Sequence, residues 1–123
     1  MADTIETDES RTLIAADKVE GTSVYSRGGD SIGTIRTIML NKLNGRVAYA
    51  VLASGGFLGL GEDYYPIPWE SLRYDVDVGG YVVDVDKSHF ETAPHYPKDR
   101  EPDWADRIFD QDVRGAWGLP APV

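Results

Sequence analysis

The stretch Leu72-Arg-Tyr-Asp-Val-Asp-Val-Gly-Gly-Tyr-Val-Val-Asp-Val-Asp86 constrains the fold more than any other part of the chain. Its side chains alternate between apolar and polar on both sides of Gly79-Gly80, which is the period of a strand with one dry face and one wet face. A glycine pair suits a two-residue primed turn, so the segment reads as a hairpin with Gly79 and Gly80 as its loop. That pairing places Tyr74, Val76, Val78, Tyr81, Val83 and Val85 on one face, and Arg73, Asp75, Asp77, Val82, Asp84 and Asp86 on the other. A one-residue slip would bury four carboxylates, a desolvation cost that fixes the register.

Two more β-turn-β units lie upstream. Ile32 to Leu40 and Val47 to Leu52 flank a polar turn containing Asn44-Gly45, and Val24-Tyr25 and Ile32 flank Ser26-Arg-Gly-Gly-Asp30. In the run Val47-Ala-Tyr-Ala-Val-Leu52 both faces are apolar, so this strand needs cover from the interior and from something outside, a tail or a partner. Residues 1 to 11 are polar and acidic and read as a disordered leader; residues 12 to 92 form the folded body. Residues 93 to 123 begin with Pro94, Pro97 and Pro102 and read as a Pro-rich linker followed by a short amphipathic helical tail. The expected fold is therefore all-β, a small barrel of about five to six strands with a short C-terminal helix.

The ordered series Gly21-Thr-Ser-Val24, Gly29-Asp-Ser-Ile-Gly-Thr-Ile35, Asn44-Gly-Arg46 into Val47-Ala-Tyr-Ala-Val51, Gly55-Gly-Phe-Leu-Gly59 and Pro68-Trp-Glu-Ser-Leu72 resembles the PRC-barrel family over about residues 12 to 90. That family includes a domain of the photosynthetic reaction centre H subunit, a domain of the ribosome maturation factor RimM, and many stand-alone bacterial proteins. The chain looks most like the last group, because it lacks the membrane helix of the first and the extra RNA-associated domain of the second. The resemblance implies a compact β-barrel and a docking role; it brings no catalytic residue and no cofactor.

Charge and composition narrow the function classes further. Twelve Lys and Arg against 21 Asp and Glu leave a net charge of -9, which repels phosphate backbones and anionic lipid surfaces. The basic residues are scattered and form no run, so nucleic acid is disfavoured as a partner; RNA or ribosome association by analogy with RimM stands as an alternative. The chain has no cysteine, which removes disulfides and thiolate metal sites. No apolar run approaches membrane-spanning length, so membrane insertion is not expected and the cytoplasm is the expected location.

The remaining constellations each have a plain reading. Gly55-Gly-Phe-Leu-Gly-Leu-Gly61 lacks the Lys-Ser or Lys-Thr of a phosphate loop, but Phe57, Leu58 and Leu60 must be covered by core or by a partner. Tyr64, Tyr65 and Trp69 suit either a core margin or an interface, with Trp69 placed to plug one barrel end. Asp75 opposite Asp84 reads as a solvated acidic face rather than a cation site. His89 and His95, with Pro94 between them, lack the helical spacing of a zinc pair, and neither sits in a nucleophile motif. A small-ligand barrel would need a cavity with converging polar groups, and no substrate for one is evident.

The tail residues 103 to 115 read as a helix with Asp103 as N-cap and Gly115 as stop. Trp104, Ala105, Ile108, Phe109 and Val113 form its apolar stripe, which should pack on the barrel or on a second subunit. The function expected is a non-enzymatic adaptor whose partner is a protein, a second copy first. The expected contact residues are Phe57, Leu58, Leu60, Tyr64, Tyr65, Trp104, Ile108 and Phe109.

Overall fold

The computed structural model describes residues 12–54 and 63–120. A one-turn helix α1 (Ala16–Val19) leads into strands β1 (Ser23–Tyr25), β2 (Ser31–Leu40), β3 (Val47–Ala53), β4 (Asp63–Pro68), β5 (Leu72–Asp75), β6 (Gly80–Val83) and β7 (Tyr96–Pro97). Helix α2 (Arg107–Ala116) follows, and short 3-10 turns at Trp69–Ser71 and Lys87–Glu91 link strands. All strands join one sheet in the order β5-β6-β1-β2-β3-β4-β7, antiparallel except for the parallel pair β1 and β6. The fold is all-β and barrel-like, as the sequence implies, with seven strands among the described residues where about five to six were expected. Among the described residues the ladder is not closed: β5 and β7 are its two edges.

The ten-residue β2 spans the bend of the sheet, with register shifts against β1 and twice against β3 that turn the strand. Gly33 sits at the bend with φ +148°, and a Cβ there would land on the Ala53 carbonyl oxygen, so only glycine allows β2 this close to the end of β3. The β2–β3 turn holds itself through side chains. Asn41 Oδ1 accepts from the Leu43 and Asn44 amides, Asn44 Oδ1 accepts from the Arg46 amide, and Gly45 supplies the positive φ that the sequence signal required.

The β5–β6 hairpin departs from the sequence reading in its turn. Leu72 pairs with Val83, Arg73 with Val82, Tyr74 with Tyr81 and Asp75 with Gly80, so the loop is residues 76 to 79 rather than Gly79-Gly80 alone. The Asp77 amide donates to Asp75 Oδ1 and the Gly79 amide to the Asp75 carbonyl, which closes the turn early. The pairing shifts by an even number of residues, so Tyr74, Tyr81 and Val83 keep their expected shared face. Val76 and Val78 are instead carried out into the loop, and Asp75 no longer faces Asp84. Asp84, just past the end of β6, pairs with Arg27, just past the end of the neighbouring β1, at 3.1 Å from Nε, while Arg27 also donates to the Asp84 carbonyl.

Two apolar clusters flank the sheet. The inner one gathers Val24, Ile32, Ile35, Ala50, Leu52, Tyr65, Ile67, Val83 and Phe90, all at most 1% exposed, with Trp69, Leu72 and Trp117 packed against it. The outer one gathers Val51, Tyr64 and Tyr96, with Met39, Ala53 and Trp104 against it. Strand β3 serves both, with Ala50 and Leu52 facing in and Val51 facing out, which accounts for its two apolar faces. In β4, Pro66 opposes Val51 and Pro68 opposes Tyr49. A proline is tolerated in a strand only where no ladder donor is needed, so their amide positions point away from β3.

Candidate interaction surface

The outer face of β3 and β4 is built to be covered, and the chain's own tail covers it. After the 3-10 turn Lys87–Glu91, Ala93 and Tyr96 are buried and β7 pairs Tyr96 with Tyr64, so the segment expected as a linker starts by adding an edge strand. Residues 97 to 101 are exposed, held by a turn in which the Arg100 amide donates to the Pro97 carbonyl. The chain then returns with Trp104 at 6.0 Å from the Tyr49 ring and 5.9 Å, edge-on, from Tyr96. Helix α2 lies against β4, and Trp117 reaches the far end of the inner cluster, 5.5 Å from Phe90 and 4.9 Å from His89. The tail thus delivers one tryptophan to each cluster.

The helix starts and stops three residues later than its sequence signals suggest. Asp106, not Asp103, is the N-cap and accepts from the Ile108 amide at 2.9 Å; Asp103 accepts from the Ala105 amide in the turn before it. At the other end Gly118, not Gly115, takes the left-handed conformation at φ +73°. The Leu119 amide donates to the Arg114 carbonyl and the Gly118 amide to the Gly115 carbonyl, the two bonds of a Schellman ending. The apolar stripe shifts with the boundaries. Val113 is fully buried and Phe109 half-buried against Trp104, whereas Ile108 is 66% exposed and turned to solvent. Arg114, donating to the Pro120 carbonyl, pairs with Glu70 at 3.3 Å and ties the helix to the turn after β4.

Of the expected contact residues, Phe57, Leu58 and Leu60 lie outside the described residues. Tyr65 is buried in the inner cluster, edge-on to Phe90 at 5.3 Å and tilted against His95 at 5.0 Å. Tyr64 is buried in the outer one, edge-on to Tyr96 at 5.6 Å, with the Arg36 guanidinium 5.0 Å above its ring. Burial places both tyrosines in packing rather than on the surface. Trp69 lies 5.6 Å from Tyr81 against the inner cluster. Tyr49, which the sequence reading did not single out, is the residue on which Trp104 sits; its position in a two-sided apolar strand was the available signal.

Both histidines pack within the fold. His95 Nε2 lies 3.3 Å from Asp63, and its Nδ1 lies 2.9 Å from the Ala93 carbonyl. His89 packs edge-on against Phe90 and Trp117. Among the described residues no group of three or more His, Cys, Asp or Glu could hold a metal ion. Burial, and then Asp63 beside it, pushes the Tyr65 phenol above its ordinary value. Burial, followed by Glu101 and Tyr64, pushes Tyr96 up to about 12 against the opposing pull of Arg36.

Open grooves run along the tail. One of about 330 Å³ lies between Leu40, Ala48, Tyr49 and the turn Trp104 to Arg107. Another of about 320 Å³ lies between Arg46, Tyr49, Trp69 and the α2 residues Asp110 and Arg114. Larger grooves of about 610 and 640 Å³ are lined by mixed charges, Arg27, Glu70, Arg73 and Asp84 in one, Glu20, Arg36, Lys98 and Glu101 in the other.

A curled sheet, seven-stranded among the described residues, around an aliphatic and aromatic interior and strapped by its own C-terminal segment, defines a small all-β domain. The family model described as PRC-barrel domain matches residues 11–90, and the chain belongs to that family. Among solved structures it is similar to a protein described as a 16S ribosomal RNA processing protein, RimM, from Pseudomonas aeruginosa. The two are 20% identical with a TM-score of 0.42, over 68% of this chain and 50% of that one. This chain therefore spans about half the length of that protein. No curated protein matches it. Among the described residues no helix is long and apolar enough to cross a membrane.

Proposed function

We propose that the chain is a non-enzymatic interaction module of PRC-barrel type, an adaptor in the cytoplasm that associates with a second copy of itself. The observation that carries this reading is where the apolar side chains fall. The inner cluster is filled by aliphatic and aromatic groups, which leaves little room for a small-molecule site with converging polar groups. Meanwhile the β2–β3 turn presents Leu40 and Leu43, and the β5–β6 loop presents Val76 and Val78 beside Tyr74; Leu43 is 92% and Val76 78% exposed. Turns are ordinarily polar, so aliphatic groups at their tips gain nothing from folding and gain from contact.

The net charge of -9 opposes RNA and favours a protein partner. Sedimentation equilibrium of the full chain over a wide range of concentration tests the reading. A reversible monomer–dimer equilibrium is expected; a single monomeric species throughout would remove self-association from the account.

A further inference from the structure

Among the described residues, the buried side-chain polar atoms without a hydrogen-bond partner are Tyr49 Oη, Trp104 Nε1, His89 Nε2 and Trp117 Nε1. Two of them, Tyr49 Oη and Trp104 Nε1, meet where the tail sits on β3; the other two, His89 Nε2 and Trp117 Nε1, meet where the end of α2 packs on the 3-10 turn Lys87–Glu91 beside the inner cluster. Tyr49 is itself more than nine-tenths buried. Each such atom forfeits its hydration without replacement, and lifting the tail returns it to water. The seam is thus closed by ring contact and opened by hydration, and the opposing terms make it reversible.

We infer that the outer β3–β4 face is an exchange site, filled in one state by the chain's own tail and in another by the tail of a second copy. This rests on the self-association proposed above and adds to the exposed turn tips a second surface for it. The occupant follows from fit, because the tail is seen seated on this face, and an identical tail makes the same contacts from another molecule. The hinge is also on the page. Residues 97 to 101 are exposed and reverse the chain through the bond from the Arg100 amide to the Pro97 carbonyl. Residues 98 to 103, if straightened, span about 20 Å at roughly 3.3 Å each, enough to cross to a neighbouring copy. Pro97 and Pro102 stiffen that arm, which lowers the entropy cost of holding it extended. The charge of -9 on each copy opposes the exchange at long range, so added salt raises the exchanged fraction.

The test uses the full chain, with one isotope-labelled population mixed with an unlabelled one through unfolding and refolding, and isotope-filtered nuclear Overhauser contacts between the Trp104 indole and the Tyr49 ring. Contacts between differently labelled copies in the dimer are expected. A dimer in which that contact stays within one copy overturns the exchange and leaves self-association standing, whereas a monomer at every concentration overturns both. A second variant removes Lys98, Asp99 and Arg100, so that the arm is too short to turn back on its own sheet. Its dimer fraction should rise at least tenfold at matched concentration; a variant that remains a folded monomer sinks the proposal.

Discussion

The two faces of the sheet are packed by different means. The inner face is closed mainly by Val24, Ile32, Ile35, Leu52, Ile67 and Val83, each at most 1% exposed, with Tyr65, Tyr81 and Phe90 among them and Trp117 of the tail packed alongside. The outer face is closed by Tyr49, Tyr64, Tyr96 and Trp104, rings that bury large area but carry hydroxyl and indole groups needing partners. The aliphatic packing deep in the inner cluster depends little on the tail, which touches that cluster through Trp117, whereas at the contact of Trp104 with Tyr49 both polar tips are unmet, which weakens the tail's hold there.

Substitutions on the two faces should separate these roles. The sharpest break is Gly33→Ala, which must leave a glycine-only conformation and displace the Ala53 carbonyl; it should cost about 3–5 kcal/mol in urea unfolding. Ile67→Ala, on the inner face, should cost about 3 kcal/mol with the cooperativity of unfolding unchanged. Trp104→Ala should cost only about 1–2 kcal/mol, because the half-buried ring gives up an unmet indole as well as its packing. A loss for Trp104→Ala equal to that of Ile67→Ala would erase the contrast between the faces.

Alkaline titration sharpens the same comparison. The Tyr96 phenol is held neutral by burial, so its folded value of about 12 lies above the ordinary value of 10. The stability it contributes is complete below pH 10 and is lost as pH rises through its folded value near 12. Tyr96→Phe should flatten that alkaline decline in denaturation midpoints, and an unchanged decline would assign it to other groups. The smallest effect belongs to the surface: Arg27→Ala breaks the pair with the exposed Asp84 and should cost about 0.5 kcal/mol, less in high salt.

The hairpins were legible because their signals are local. Asn44-Gly45 between alternating runs and the flanks of Ser26 to Asp30 fixed two turns, and the alternation of Leu72 to Asp86 fixed which residues share a face. The β5–β6 turn was misplaced because Val76-Asp77-Val78 alternates equally well as strand or as loop, and an Asp75 side-chain bond chose the loop. Asp103 and Asp106, like Gly115 and Gly118, are rival helix boundaries three residues apart, and only packing of Val113 decides between them. The parallel pairing of β1 with β6, which joins the halves of the sheet, and the seating of Trp104 on Tyr49 are long-range contacts that no short pattern encodes.

Pro66 and Pro68 limit how the sheet can grow. Beyond the pair of Tyr64 with Tyr96, the free side of β4 has no amide hydrogen at either position, so an incoming strand would find acceptors without the matching donors. Fibrous stacking along that border is therefore blocked by covalent structure rather than by charge, and a change of salt or pH would not restore it. Replacing both prolines with valine would supply the missing donors and leave that border able to pair with a further strand.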